Sequence, residues 1–246
     1  MFLTGLRETL ERLSLTYISP SSVTAAFALV LAVLVLYTNH RRSINRAWAL
    51  VLFMIVMWQA GAASIYWLRE PTLHRIGIFF GGLFIFSLGF LKETIIAPRT
   101  TVKLRLKRIW FHTIIVAIFT SVFTDYYISR TSINGMYPRH TWYWIVNAAT
   151  ILWGFYLLID STFLIRSKKV TGIVINDLIA FIIIASFGLL SSATSAFGGS
   201  VLKIKYIPWF APIIFFIGLG LSTVLFVRSE ILSLRDIWQQ YCRSIF

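Results

Sequence analysis

Between residues 21 and 227 the chain carries seven long apolar runs, and no lysine or arginine falls inside any of them. They cover approximately 21–38, 47–68, 76–91, 109–125, 142–165, 173–195 and 207–227. A segment crossing a bilayer has no water to satisfy its backbone, so only helices and closed barrels cross. A spanning helix needs roughly 20 apolar residues, with about 17–25 common. The runs are continuous, without the polar–apolar alternation of lipid-facing strands, which excludes a barrel. The third and fourth are short and are expected to borrow residues from their flanks. The expected fold is an all-α membrane protein, a bundle of seven transmembrane helices over 21–227. Segment 1–20 precedes it and segment 228–246 follows.

Composition enters as a check on the solvent. A soluble domain is about 45–50% apolar and about 25% charged. This chain is 58% apolar and 13% charged, too little charge for a fully hydrated surface. Its one cysteine, Cys242, excludes a disulfide framework or a cysteine metal cluster within one chain.

The charges between the runs give a direction. Lys and Arg in short loops stay on the cytoplasmic side. The first, third and fifth loops hold Arg41, Arg42 and Arg46; Lys92, Arg99, Lys103, Arg105, Lys107 and Arg108; and Arg166, Lys168 and Lys169. The C-terminal segment adds Arg228, Arg235 and Arg243. The other side has two in each segment: Arg7 and Arg12, Arg69 and Arg75, Arg130 and Arg139, Lys203 and Lys205. This bias predicts the N-terminus outside and the C-terminus cytoplasmic, as an odd number of spans requires. Clusters such as Tyr66 with Trp67, Tyr126 with Tyr127, and Trp142 to Trp144 fit aromatic belts at headgroup depth. The expected location is the plasma or inner membrane, multi-pass.

The most basic loop, "PRTTVKLRLKR" (98–108), raises the question of nucleic acid. Nucleic-acid binding needs a folded basic face or a groove-entering helix, and a short loop between two spans offers neither. Lys103, Arg105, Lys107 and Arg108 are expected to lie on anionic lipid headgroups. At the N-terminus, Arg7, Glu8, Glu11 and Arg12 alternate with Phe2, Leu6, Leu10 and Leu13 at helical spacing. That pattern reads as an outer amphipathic helix ended by Pro20 rather than a cleavable signal, with a disordered tail as the alternative. In the C-terminal segment Ile231, Leu234, Ile237, Trp238, Tyr241 and Ile245 form an apolar face. An amphipathic exit helix of this kind suits a protein partner or the membrane surface.

Polar residues inside spans are the candidates for function. Asp160 and Asp177 lie near the inner ends of the fifth and sixth runs, at similar depth if those helices are antiparallel. Together they suit a proton relay or a cation site; pairing with Arg166, Lys168 or Lys169 is the structural reading, and the one preferred. Gln59, Asn147 and Asn176 are expected to hydrogen-bond between helices. Asp125, His74 and His140 have metal-ligand chemistry but stand on separate loops with no ligand spacing. Gly77-x-x-x-Gly81, and Ala60 to Ser64 in the second run, are expected to pack helices closely within the bundle, with a homodimer seam as the alternative. Pro208 and Pro212 suggest a bend at the start of the seventh run. No G-x-S-x-G, H-E-x-x-H or P-loop motif occurs. No catalytic, cofactor or metal residue is assigned, and the expectation is a non-enzymatic protein.

Three stretches carry a resemblance: "RAWALVLFMIVMWQAGAASIYW" (46–67), "IRSKKVTGIVINDLIAF" (165–181) and "VLFVRSEILSLRDI" (224–237). With seven spans, short loops and an exit helix, residues 20–237 resemble the seven-helix N-terminal sensor region of certain bacterial histidine kinases. In that family a phosphorylatable-His dimerisation domain and an ATP-binding domain follow the last span, and this sequence stops where they would begin. The resemblance implies a sensing or signal-coupling module without autokinase activity. The alternatives are a small transporter or channel using Asp160 and Asp177, and an accessory subunit of a membrane complex.

Overall fold

The structure, a computed structural model, describes residues 19–68, 71–96, 140–167, 172–194 and 207–228. These residues form six helices: α1 (Pro20–Asn39), α2 (Ser43–Leu68), α3 (Pro71–Ile96), α4 (Thr141–Arg166), α5 (Ile173–Ala193) and α6 (Ile207–Arg228). All six are long and apolar enough to cross a membrane. The expected span 109–125, the basic loop with Lys103, Arg105, Lys107 and Arg108, segment 1–18 and residues 229–246 lie outside the described residues.

The helix ends follow from local chemistry. Ser19, in extended backbone, caps α1 by accepting from the Ser22 amide at 3.1 Å, and Pro20 takes the first turn, where no N–H is needed. Between α4 and α5 the chain turns at Gly172, whose φ of 62° suits a residue without Cβ. The third helix takes in residues on both flanks of its run, as expected, and with them two cations expected in loops. It runs from Pro71 to Ile96 and takes in Arg75 and Lys92, both buried. Arg46 likewise lies within α2. The absence of cations from the spans is therefore corrected. A charged side chain does not interrupt the backbone ladder, so the short run lengthens through Lys92 once a countercharge is at hand.

Contacts between helices fix their directions. Near-neighbours α1 and α2, α2 and α3, and α4 and α5 are joined by short connections and run antiparallel. Gly77 of α3 meets the backbone of Gly61 in α2, while the later Gly81 meets the earlier Trp58. Residues 187 and 188 of α5 meet 218 and 215 of α6 in reverse order, so that pair is antiparallel as well. Thr24 and Phe27 of α1 meet Pro212 and Phe216 of α6 in the same order, so those two are parallel.

A central layer gives the level from which depth can be counted. Trp58, Phe84 and Phe215 bring α2, α3 and α6 together with ring centroids 5.5–5.7 Å apart, and Gly188 of α5 abuts Phe84 and Phe215. The adjacent Leu189 meets Gly154 of α4. Further toward one end, Trp48 packs edge-on against Phe226 at 4.5 Å, and both rings are fully buried. Two of the buried hydroxyls are satisfied within their own helices. Ser161 and Ser222 donate to the carbonyls of Leu157 and Gly218 at 2.7 and 2.8 Å, a geometry that suits an apolar surround.

Candidate functional site: a charge pair between two helices

On α3 the buried positions Phe84, Leu88, Leu91 and Ile95 recur at helical spacing, and Lys92 stands within that stripe. Its side chain is directed inward by the same periodicity that directs the leucines. On α4 the buried positions include Leu157 and Ser161, and Asp160 sits beside them at the edge of the buried face. Lys92 Nζ donates to Asp160 Oδ2, and the two side chains are 4% and 39% exposed. The Lys92 ammonium also lies 5.7 Å from the centre of the Tyr156 ring, within cation–π range. Trp153 stacks on Tyr156 at 5.1 Å. Trp153, Tyr156 and Asp160 follow the i, i+3, i+7 spacing of one helix face. The result is an ammonium held between a carboxylate and an aromatic pair at the α3–α4 junction.

The depth of this pair is consistent on both helices. Lys92 lies eight residues beyond Phe84, about 12 Å along the axis, and Asp160 six beyond Gly154, about 9 Å. Both displacements lead from the central layer toward the helix C-termini. α3 and α4 therefore run parallel.

Asp177 is 3% exposed on the buried face of α5, four residues after that helix begins. It lies toward the same end of the bundle as Asp160, about 18 Å from the level of Leu189 where Asp160 is about 9 Å from that of Gly154. The carboxylate of Asp160 engages a lysine from α3, where the sequence offered Asp177 or the cations Arg166, Lys168 and Lys169. The uncharged polar residues divide. Asn147 Nδ2 donates to the Tyr143 carbonyl of its own helix at 2.8 Å. Asn176 is half-buried on α5. Gln59 is 2% exposed, and its Oε1 accepts no hydrogen bond among the described residues.

Two interhelical hydrogen bonds come from residues the sequence reading did not single out. Asn45 Nδ2 donates to the Val35 carbonyl at 3.1 Å, tying α2 to α1. Thr24 Oγ1 reaches the Pro212 carbonyl of α6 at 3.3 Å. The signal for Asn45 was available: with Trp48, Leu52, Ile55 and Gln59 it completes one buried helical stripe. His140 caps the start of α4 through its extended backbone; the His74 side chain and Asp125 lie outside the described residues. No group of three or more His, Cys, Asp or Glu side chains converges among the described residues.

α4 differs from the rest of the bundle in its seating. Only 17% of its apolar stretch is buried, against 39–50% for the other five helices. Ile145, Leu152, Phe155, Ile159 and Phe163 are turned outward, Leu152 at 70% exposure. Its inward face meets α5 through Gly154 and α3 through Asp160. In comparisons with known proteins, no family model, curated protein or solved structure matches this chain.

Proposed function

We propose that this chain is an integral membrane sensory or signal-coupling module, non-enzymatic, that passes a helix displacement to a partner through residues 228–246. The single observation that carries this reading is the seating of α4. Among the described helices it is the edge helix, joined by a charge pair to a core whose other described members are closely packed. Signal transmission requires an element with two discrete positions whose balance a cue can bias. A thinly buried helix held at a defined point has the physical attributes of such an element. The resemblance to the sensor regions of histidine kinases favours the same assignment. The test is crosslinking in native membranes: the partner is captured by the full chain and lost on deletion of residues 231–246. Retention after that deletion overturns the output surface.

The reading includes seven crossings, with the N-terminus outside and the C-terminus cytoplasmic. The parallel course of α3 and α4 supports it, because a chain leaving α3 at one face must cross again before entering α4 in the same direction. Residues 97–140 connect them and contain the apolar run 109–125. The charge bias supplies the orientation.

A second reading, a small transporter or channel, is favoured by the intramembrane Lys92–Asp160 pair together with buried Asp177. Charged groups at such positions are used in ion and proton pathways. Flux in proteoliposomes that falls in Asp160→Asn and Asp177→Asn would establish it, and unchanged flux removes those roles.

A further inference from the structure

We infer that the Lys92–Asp160 pair is an electrostatic latch that sets the position of α4 against α3. This inference deepens the signal-coupling reading and rests on it for its purpose, though not for its geometry. Three observations carry it. The pair joins two helices separated in sequence by residues 97–140, and it acts across an otherwise thin contact. Its two members are unequally placed: the lysine is enclosed at 4% exposure, while the aspartate opens at 39% toward the bundle's edge. The outward face of α4, from Ile145 to Phe163, is apolar throughout its exposed large residues, so sliding or tilting it in lipid exchanges one apolar contact for another.

The latch follows from that asymmetry. Lys92 is fixed in the buried stripe of α3 and cannot follow α4 outward. Movement of α4 therefore separates the charges, and an enclosed ammonium favours the state in which the Asp160 carboxylate is at hand. The helix is held by this directional contact in addition to the seat of Leu189 of α5 on Gly154. Tyr156 sharpens the geometry, since its ring and the Asp160 carboxylate meet the same ammonium from one helix face. The latched position is thereby specified in both rotation and height.

The experiment uses the full chain in lipid nanodiscs, with Cys242→Ser and spin labels at Phe90→Cys on α3 and Leu152→Cys on α4. Both positions are exposed, at 48% and 70%. The parent gives one narrow distance distribution. Asp160→Asn, close in shape but uncharged, broadens it or shifts its main peak by up to about 5 Å, one helical turn. The exchange Lys92→Asp with Asp160→Lys restores a narrow distribution. Monodisperse size-exclusion profiles select variants that have folded, and if Asp160→Asn does not fold, Lys92→Met serves in its place. A distribution unchanged in the folded neutral variant overturns the latch. If the distribution shifts while capture of the partner through residues 228–246 is unaltered, the latch stands and the signal-coupling reading falls.

Discussion

At the level of single residues, the unequal burial of the charge pair predicts unequal substitutions. Asp160→Asn leaves an enclosed ammonium facing a neutral amide; because Asp160 is 39% exposed, the expected loss is about 1–3 kcal/mol, below that for a fully buried pair. Lys92→Met leaves a carboxylate that is 39% exposed and fills the α3 stripe with an apolar side chain of similar length. Its cost is about 1 kcal/mol or less, the scale of an exposed pair. Thermal unfolding in detergent should therefore rank Lys92→Met above Asp160→Asn in stability; the reverse order contradicts the placement of Lys92. Two glycines make a second contrast. A Cβ at Gly77 would lie 2.9 Å from the Gly61 Cα, against backbone that cannot turn aside, whereas one at Gly220 meets nothing within 4 Å. Gly77→Ala is expected to lose about 1–3 kcal/mol through overpacking. Gly220→Ala is expected to be neutral or to gain up to about 1 kcal/mol from helix propensity. Equal melting temperatures for the two variants would contradict the close approach of α2 and α3.

At the level of elements, α2, α3 and α6 are joined through rings, and α1 is tied on by hydrogen bonds and the Phe27–Phe216 contact. Phe84 is fully buried and touches Trp58, Phe215 and the site of Gly188, so three helices share one side chain. Phe84→Ala should cost about 3–5 kcal/mol, as expected for emptying a core aromatic site. Thr24→Val removes a hydroxyl that donates to the Pro20 carbonyl at 2.8 Å and to the Pro212 carbonyl at 3.3 Å. Interhelical hydrogen bonds in membranes average about 0.6 kcal/mol, so the expected loss is small. A loss from Thr24→Val as large as that from Phe84→Ala would show that the α1–α6 contact, not the ring cluster, organises the core. The small-residue pattern acts at this scale too. Gly77 and Gly81 receive Gly61 and Trp58 from α2, so the G-x-x-x-G face packs within the chain.

For the whole molecule, orientation is tested by the chain's own single cysteine. In intact cells a membrane-impermeant maleimide should leave Cys242 unlabelled, and in inverted vesicles it should label it. In a Cys242→Ser background, Ser132→Cys should label from outside, since residue 132 lies between the run 109–125 and α4. Labelling of Ser132→Cys from inside alone would remove the proposed crossing. Much of the architecture was legible in advance. Six of the seven apolar runs coincide with helices α1 to α6, because a lipid solvent forces every backbone polar group into a helix and makes apolar length a sufficient signal. That Asp160 and Asp177 lie toward the same end was legible as well, since it follows from position within antiparallel neighbours. The location of Lys92 inside a span was not, because a window that counts charge treats an inward-facing lysine and a loop lysine alike. Helical periodicity could have placed Lys92 in the stripe with Phe84, Leu88 and Ile95. Nothing local could have named its partner, which stands 68 positions away in sequence. The sequence by itself determined that these segments are apolar helices, through solvent and backbone hydrogen bonding, which are local. Only the tertiary structure decided that α3 and α4 run side by side in the same direction and that Lys92 meets Asp160, because charge pairing and ring packing depend on which helices become neighbours.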